Sequence, residues 1–318
     1  GTTMANKVTP AIHIIGQGVI GSLLASTARH LQFSVQQYIR DKPRCKDRQL
    51  DSATITVQSL SGQTTHLPQP DSLSTIKLTH EPLSGLVIVP VKAYQVAQVL
   101  SQLQGNLAPG ATLLLLHNGM GSIEVASRLF STHVIIAGTT TLAGFREGAV
   151  VKHTAKGHTQ LGIVKSTSAL VPNPEHIALI NQVIPDPTWH DDILIPLFTK
   201  LAINCVINPL TAIHDVKNGE LSSLGLLGII KQIVEEVVAV AASQGVLLNS
   251  ATQFNQVLAV IVDTRENYSS MHQDIKHGRK SEIEQINGYV VTLGEANGID
   301  VTVNKSLLQQ ILAIEKAA

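Results

Sequence analysis

At 318 residues, with 44% hydrophobic, 14% charged and only 3% aromatic side chains, the chain has the composition of a globular protein of roughly two domains, rich in small aliphatic residues. Its 23 basic and 23 acidic residues balance, and no run of like charge is long enough to track a phosphate backbone, so nucleic acid is excluded as an expected partner. The most apolar stretch, Leu221 to Ala242, is interrupted by Lys231, Glu235 and Glu236 and falls short of the roughly 18 uncharged residues of a membrane span; Cys45 and Cys205 form no metal or disulfide pattern, so a reduced, cytoplasmic compartment is expected.

The opening GTTMANKVTPA lacks an apolar signal core and is set aside from the fold argument as a processing or cloning remnant. From Ala11 to about Val164, aliphatic runs alternate with helical stretches: AIHII, IGSLLASTARHL, SVQQYI, GLVIVPV, YQVAQVLSQL, ATLLLL and VIIAGTT. This alternation predicts βαβ units on a parallel sheet, and runs without polar alternation predict strands covered on both faces. ITVQSLSG, VVKHTAKG and HTQLGIV read as smaller antiparallel strands or edges. After VIPDPTWHDD the texture becomes helical to the end. The expected fold class is α/β: a Rossmann-type parallel-sheet domain over residues 1–190, followed by an all-helical domain over 191–318.

HIIGQGVIGSLL sets Gly16, Gly18 and Gly21 in G-x-G-x-x-G spacing between a strand and a helix. Gly16 permits the tight turn, Gly18 lets backbone N–H groups approach a pyrophosphate, and Gly21 allows close helix–strand packing. The free N–H groups and positive end of the helix then face the anion. A dinucleotide cofactor is expected, held by Gly16, Gln17, Gly18, Val19, Ile20 and Gly21. The second strand ends in Arg40, where NAD-preferring folds place an acid, and a guanidinium suits a 2′-phosphate. NADPH is therefore the expected cofactor, unless Asp41 takes the acidic role and reverses the preference. Lys92 and Asn118 also follow strands, the edge where open α/β sheets bind ligands; otherwise Lys92 is a solvated loop residue and Asn118 a turn former.

In KLAINCVINPL, Lys200, Asn204 and Asn208 fall at i, i+4 and i+8, a stripe that drifts about 80° around a helix. With apolar residues on the other faces, the stripe predicts a pocket wall, or else a narrow wet face. A desolvated lysine gives up its proton more easily, which suits a general acid. Pro209 is expected to break or kink this helix and to free carbonyls near Cys205. Further on, Ser281 and Glu284 fit a capping box that would place Glu282 in the first turn of a helix, and Gly278 predicts a chain break before it.

The segments GQGVIG, VKAYQV, HNGMGS, GTTT, KLAINCVINPLTAI, NGEL, SSMHQDI and SEIEQINGY, in this order, resemble the ketopantoate reductase (2-dehydropantoate 2-reductase) family across the whole chain. The resemblance implies a Rossmann domain joined to a helical domain, with the active site in the cleft between them. It implies NADPH-dependent reduction of 2-dehydropantoate to (R)-pantoate, a step towards pantothenate and coenzyme A. Lys200 is then the proton donor, Arg40 meets the 2′-phosphate, and Lys92 and the backbone near Gly144 border the cofactor. Asn118 stands where nicotinamide and substrate meet. Asn204, Asn208 and Asn218 hydrogen-bond the substrate, and the segment Asn267, Tyr268, Ser269, Ser270 supplies a carboxylate contact through Ser270. Glu282 lies beside cofactor and substrate as an orienting group. A reductase of another small 2-keto acid, or a non-catalytic NADP sensor, remain as alternatives, and monomer and homodimer are equally open.

Overall fold

The structure, a computed structural model, describes residues 11–40, 54–74, 76, 81–167 and 169–318; Asp41 and Cys45 lie outside the described residues. The chain divides into two compact units, one comprising the residues up to Asn118 together with Ser122–Ile193, the other Gly119–Gly121 together with Leu194–Ala318. The second unit thus begins at Leu194, and it also takes three residues that the sequence reading assigned to the first domain. They join it because the Met120 N–H donates to the Gln285 carbonyl at 2.8 Å.

The first unit is built on an eight-stranded sheet ordered β12-β11-β8-β7-β6-β1-β2-β5. Its strands are β1 (Ile12–Ile15), β2 (Val35–Ile39), β5 (Asp71–Ser72), β6 (Leu86–Val89), β7 (Thr112–Leu116), β8 (Val134–Thr140), β11 (Thr159–Ile163) and β12 (Thr188–Trp189). The six from β5 to β8 are parallel, and β11 runs antiparallel to β8, with β12 beside it at the far edge. Numbered along the chain, the parallel strands stand in the order 3-2-1-4-5-6, which reverses direction between β1 and β6 and leaves a crevice at their carboxyl ends. The central strands β1, β6 and β7 are predominantly apolar because both faces are covered: every one of their residues is buried. Each fully buried aliphatic side chain contributes roughly 1.5 to 3 kcal/mol. Helix α1 (Val19–His30) leaves β1, α2 (Ala93–Leu103) leaves β6, and α3 (Ser122–Leu129) and α4 (Pro174–Val183) are further helices of this unit.

A four-stranded sheet, β4-β3-β10-β9, accompanies the main one. It comprises β3 (Thr56–Gln58), β4 (Thr64–His66), β9 (Ala143–Glu147) and β10 (Val150–Ala155). Two of the segments expected as smaller antiparallel strands or edges are found here as β3 and β10, antiparallel to β4 and β9 respectively, and parallel to each other. Ile55, Val57, Leu67 and Val151 share one core with Ile12, Ile14, Leu23 and Leu24, and the small sheet is packed onto α1.

The second unit is helical: α5 (Leu194–His214), α6 (Leu227–Ser243), α7 (Ser250–Asp263), α8 (Ser270–Lys276), α9 (Asn287–Ala296) and α10 (Thr302–Ala317). Among the described residues α5 alone is long and apolar enough to cross a membrane, with a mean hydropathy of 1.4, but 61% of that stretch is buried inside the protein. It is the core helix of its unit. Pro209 does not break it. The proline removes the N–H that would have met the Cys205 carbonyl, and Asn287 Nδ2 donates to that carbonyl instead, at 3.0 Å. Asn287 Nδ2 also donates to Asn304 Oδ1 (2.9 Å), and Asn304 Nδ2 donates to Glu236 Oε1 (2.8 Å). Glu236 in turn accepts from the Val303 and Asn304 N–H groups at the start of α10, a carboxylate at a helix N-terminus.

Candidate active site

In the first unit the glycine loop follows β1 and ends in α1, as its spacing predicts. Gly16 has φ +105°, a conformation that side chains rarely adopt, and its N–H donates to the Tyr38 carbonyl at 2.6 Å. A Cβ at Gly21 would meet Ile14 Cγ2 at 3.1 Å and Pro90 Cγ at 3.3 Å, so α1 sits close on its strands. Around Gly18, the N-cap of α1, there is open space where a Cβ would stand, the cradle that an approaching phosphate requires. Half-buried Val19 and Ile20 anchor the first turn of α1. The loop carbonyls are occupied by protein donors: Gln37 Nε2 to Gly16 O (3.2 Å), Ser22 Oγ to Gln17 O (3.4 Å) and Arg146 Nη1 to Gln17 O (3.3 Å). With its carbonyls bound and no acid in the first turn of α1, the loop presents N–H groups and positive potential, a fit for pyrophosphate.

Four of the expected residues follow adjacent parallel strands: Arg40 after β2, Gly16 after β1, Lys92 beyond β6 and Asn118 beyond β7. The common strand direction brings them to one sheet edge in that order. At about 4.8 Å per strand, Arg40 and Asn118 are separated by three steps, about 14 Å, with the glycine loop between. That span suits an extended dinucleotide, with a 2′-phosphate at one end and nicotinamide at the other. Half-buried Arg40 is steadied by Gln98 of α2, whose Oε1 accepts from Nη1 at 3.4 Å. Exposed Lys92 is the N-cap of α2, and Asn118 is likewise exposed. Gly144, on β9, lies against α1, where a Cβ would meet Val19 Cγ1 at 3.1 Å and Leu23 Cδ1 at 3.3 Å.

In the second unit the helical course of α5 aligns Lys200, Asn204 and Asn208 along one side. Lys200 is half-buried, with Leu197, Phe198, Leu201 and Ala202 buried around it. Burial draws its ammonium down from the ordinary 10.5 to about 8, while the negative charge of Glu282 pulls the other way. Glu282 is itself buried, at the N-cap of a single 3₁₀ turn, Ile283–Gln285, and not in the first turn of an α-helix. The expected capping box is absent. Ser281 instead donates its hydroxyl and its N–H to Glu315 Oε1 of α10, a partner 34 residues away. Gly278, with φ +68°, ends α8 as expected.

Asn218 is buried; its N–H donates to Asn267 O (2.9 Å) and its Nδ2 to Thr264 Oγ1 (2.9 Å), while Oδ1 has no partner among the described residues. Ser269 is the N-cap of α8: Oγ accepts from the His272 N–H at 3.0 Å and lies 2.7 Å from Thr211 Oγ1, so this hydroxyl is engaged in holding α8 to α5. Ser270, at the first position of α8, is exposed, as are Asn267 and Tyr268. Two features here carry no motif in the sequence. His272, buried within α8, meets Asp215 Oδ1 with Nε2 at 2.6 Å, and Tyr268 stacks on its ring at 4.5 Å. Asp215 adopts φ +52° just past α5; a short acidic residue after a helix end is the signal that could have indicated it.

Residues 12–166 match the family described as ketopantoate reductase PanE/ApbA, and residues 192–315 match its C-terminal counterpart. The chain belongs to the ketopantoate reductase family. Over 303 residues it is 35% identical to the 2-dehydropantoate 2-reductase of Escherichia coli O157:H7, covering 94% of this chain and 93% of that one. It is 34% identical over 313 residues to the 2-dehydropantoate 2-reductase of Vibrio cholerae, covering 96% and 98%. Among solved structures, a D-mandelate dehydrogenase with NADH and anilino(oxo)acetate superposes with a TM-score of 0.81 over 96% of this chain and 98% of that one. At 22% identity that likeness is one of fold alone. For a ketopantoate reductase, then, the glycine-loop edge of the first unit and the lysine helix of the second are the two places where chemistry is to be sought.

Proposed function

We propose that this chain reduces 2-dehydropantoate to (R)-pantoate with NADPH, a step towards pantothenate and coenzyme A, and that it does so in the cytoplasm. The observation that carries the reading is Lys200: a charged side chain on a buried helix, its pKa drawn down to about 8 and a buried carboxylate interacting with it. NADPH, when bound, supplies the hydride that goes to C2 of the substrate. As the C2–O double bond becomes a single bond, Lys200 gives one proton to the oxygen, and the resulting amine is reprotonated from solvent. General acid catalysis of this kind contributes roughly 10² to 10⁴ in rate. Glu282 holds the ammonium in its protonated, oriented form rather than donating itself.

Arg40 would receive the 2′-phosphate, the Gly16–Gly21 loop the pyrophosphate, and Lys92, Asn118 and the backbone of Gly144 the remainder of the cofactor. Asn204 and Asn208, which make no side-chain hydrogen bond among the described residues, and the unpartnered Oδ1 of Asn218 would bind the substrate's carbonyl and hydroxyl oxygens. Ser270 would bind its carboxylate, with Asn267 and Tyr268 beside it; Ser269 serves as a cap.

Following NADPH absorbance with a panel of 2-keto acids that includes ketopantoate tests the reading. Ketopantoate is expected to give the highest kcat/KM. No oxidation with any of them would sink the catalytic reading, a better 2-keto acid would replace the substrate, and a preference for NADH would overturn the role of Arg40.

A further inference from the structure

β9 and β10 belong to the small sheet and not to the parallel strands that end at Arg40, Gly16, Lys92 and Asn118, yet β9 reaches the glycine loop. Gly144 explains how. Its missing side chain lets β9 close onto the first turns of α1, against Val19 and Leu23. Strand side chains alternate, so the residue two positions on points to the same face. That residue is Arg146. Its Nε donates to Gly148 O at 2.8 Å, across the turn of its own hairpin, and Nη1 donates to Gln17 O at 3.3 Å, inside the glycine loop. A guanidinium carries five N–H donors in a rigid fork, so with Nε on Gly148 O and Nη1 on Gln17 O it keeps further donors for a ligand.

The electrostatics point to an anion. The guanidinium bonds a carbonyl one residue before the N-cap of α1, where the helix end already carries a partial positive charge. The first turn of α1 has no acidic residue, and Arg146 forms no ion pair among the described residues. Two positive centres held together by the fold repel, and that repulsion is relieved when a phosphate group lies beside them.

We infer that Arg146 is a further cofactor-binding residue, fixing the Gln17 carbonyl away from the ligand and presenting its guanidinium to the dinucleotide's pyrophosphate. The inference rests on the dinucleotide reading above. It separates two cationic subsites: Arg40 beyond β2 serves the 2′-phosphate, and Arg146 on the β9–β10 hairpin serves the bridging phosphates.

Calorimetric titration of the full chain with NADP⁺ and with adenosine 2′-monophosphate, which lacks the pyrophosphate, tests it. Arg146→Ala is expected to weaken NADP⁺ binding about 10- to 100-fold, as for loss of a charged hydrogen bond. Binding of adenosine 2′-monophosphate should change by less than about twofold. Arg40→Ala should weaken both ligands. Arg146→Lys keeps the charge without the fork and should recover part of the NADP⁺ affinity. In turnover, Arg146→Ala should raise KM for NADPH far more than KM for the keto acid. Unchanged NADP⁺ affinity in Arg146→Ala, or equal weakening of both ligands, would overturn the inference while leaving the dinucleotide reading in place. If the unsubstituted chain binds no NADP⁺, that reading falls first and the inference with it.

Discussion

On the proposed function, the glycine loop of the first unit would work through backbone and the lysine helix of the second through side chains, and the two would tolerate change in different ways. Around Gly16 to Gly21 the useful groups are N–H donors, so what matters is that nothing crowds them and that their carbonyls are held elsewhere, by Gln37, Ser22 and Arg146. Around Lys200 the useful group is a single ammonium, placed where burial works against its charge. The loop's arrangement is locally self-consistent. The lysine's costs the fold stability in return for reactivity.

Lys200→Met should show the contrast most sharply. Turnover is expected to fall about 10²- to 10⁴-fold, while NADP⁺ affinity by calorimetry stays within about twofold. The same variant should be more stable by about 1 to 3 kcal/mol at pH 7 in denaturant titration, because the ammonium is charged in both the folded and unfolded states there and only the folded state suffers its burial. The folded pKa of about 8 lies below the ordinary 10.5. The unfolded chain therefore holds the extra proton between them, and the stability gap between Lys200→Met and the original chain should narrow as pH rises through that window. A gap that widens would refute the assignment of cause to burial.

Next in size is the cofactor preference. Arg40→Ala should raise KM for NADPH about 10- to 100-fold and leave KM for NADH nearly unchanged, read from initial rates with each nucleotide. The loop's own sensitivity follows. Gly16→Ala forces φ near +105° on a residue with a Cβ, at a cost of roughly 1 to 3 kcal/mol, visible as lowered thermal stability together with weaker NADP⁺ binding. Smallest is the pH profile. The proton donor must be protonated, so kcat/KM is expected to be level below pH 8 and to fall about tenfold per unit above it. A profile flat to pH 10 would remove Lys200 from the proton transfer.

The same contrast governs what could be read from the sequence. A backbone site is written in consecutive residues, so the glycine loop, the strand that precedes it and the strand-end positions Arg40, Lys92 and Asn118 were all legible from spacing. The lysine stripe was legible for a similar reason, since helical periodicity alone places Asn204 and Asn208 with Lys200. What was hidden depends on partners far along the chain. Ser281 and Glu284 have the spacing of a capping box, but Glu315 competes successfully for the serine. Pro209 has the local signature of a broken helix, but Asn287, 82 residues from Cys205, takes the orphaned carbonyl and the helix runs on. Arg146 resembles any exposed strand arginine until the fold of the small sheet brings it to Gln17.

Gly119–Gly121 gives the chain an unusual wiring. Because this tripeptide clusters with the helical unit while the residues on either side cluster with the sheet unit, the polypeptide passes between the two units three times, after Asn118, after Gly121 and after Ile193. Cutting the last of these passages leaves the helical unit without its three residues from the first part of the chain. A fragment beginning at Leu194 would lack Met120, whose N–H meets the Gln285 carbonyl in the 3₁₀ turn that Glu282 caps. Limited proteolysis at the 193–194 junction should therefore leave Gly119–Gly121 on the larger fragment, and the isolated fragment from Leu194 is expected to melt below the helical unit of the uncut chain.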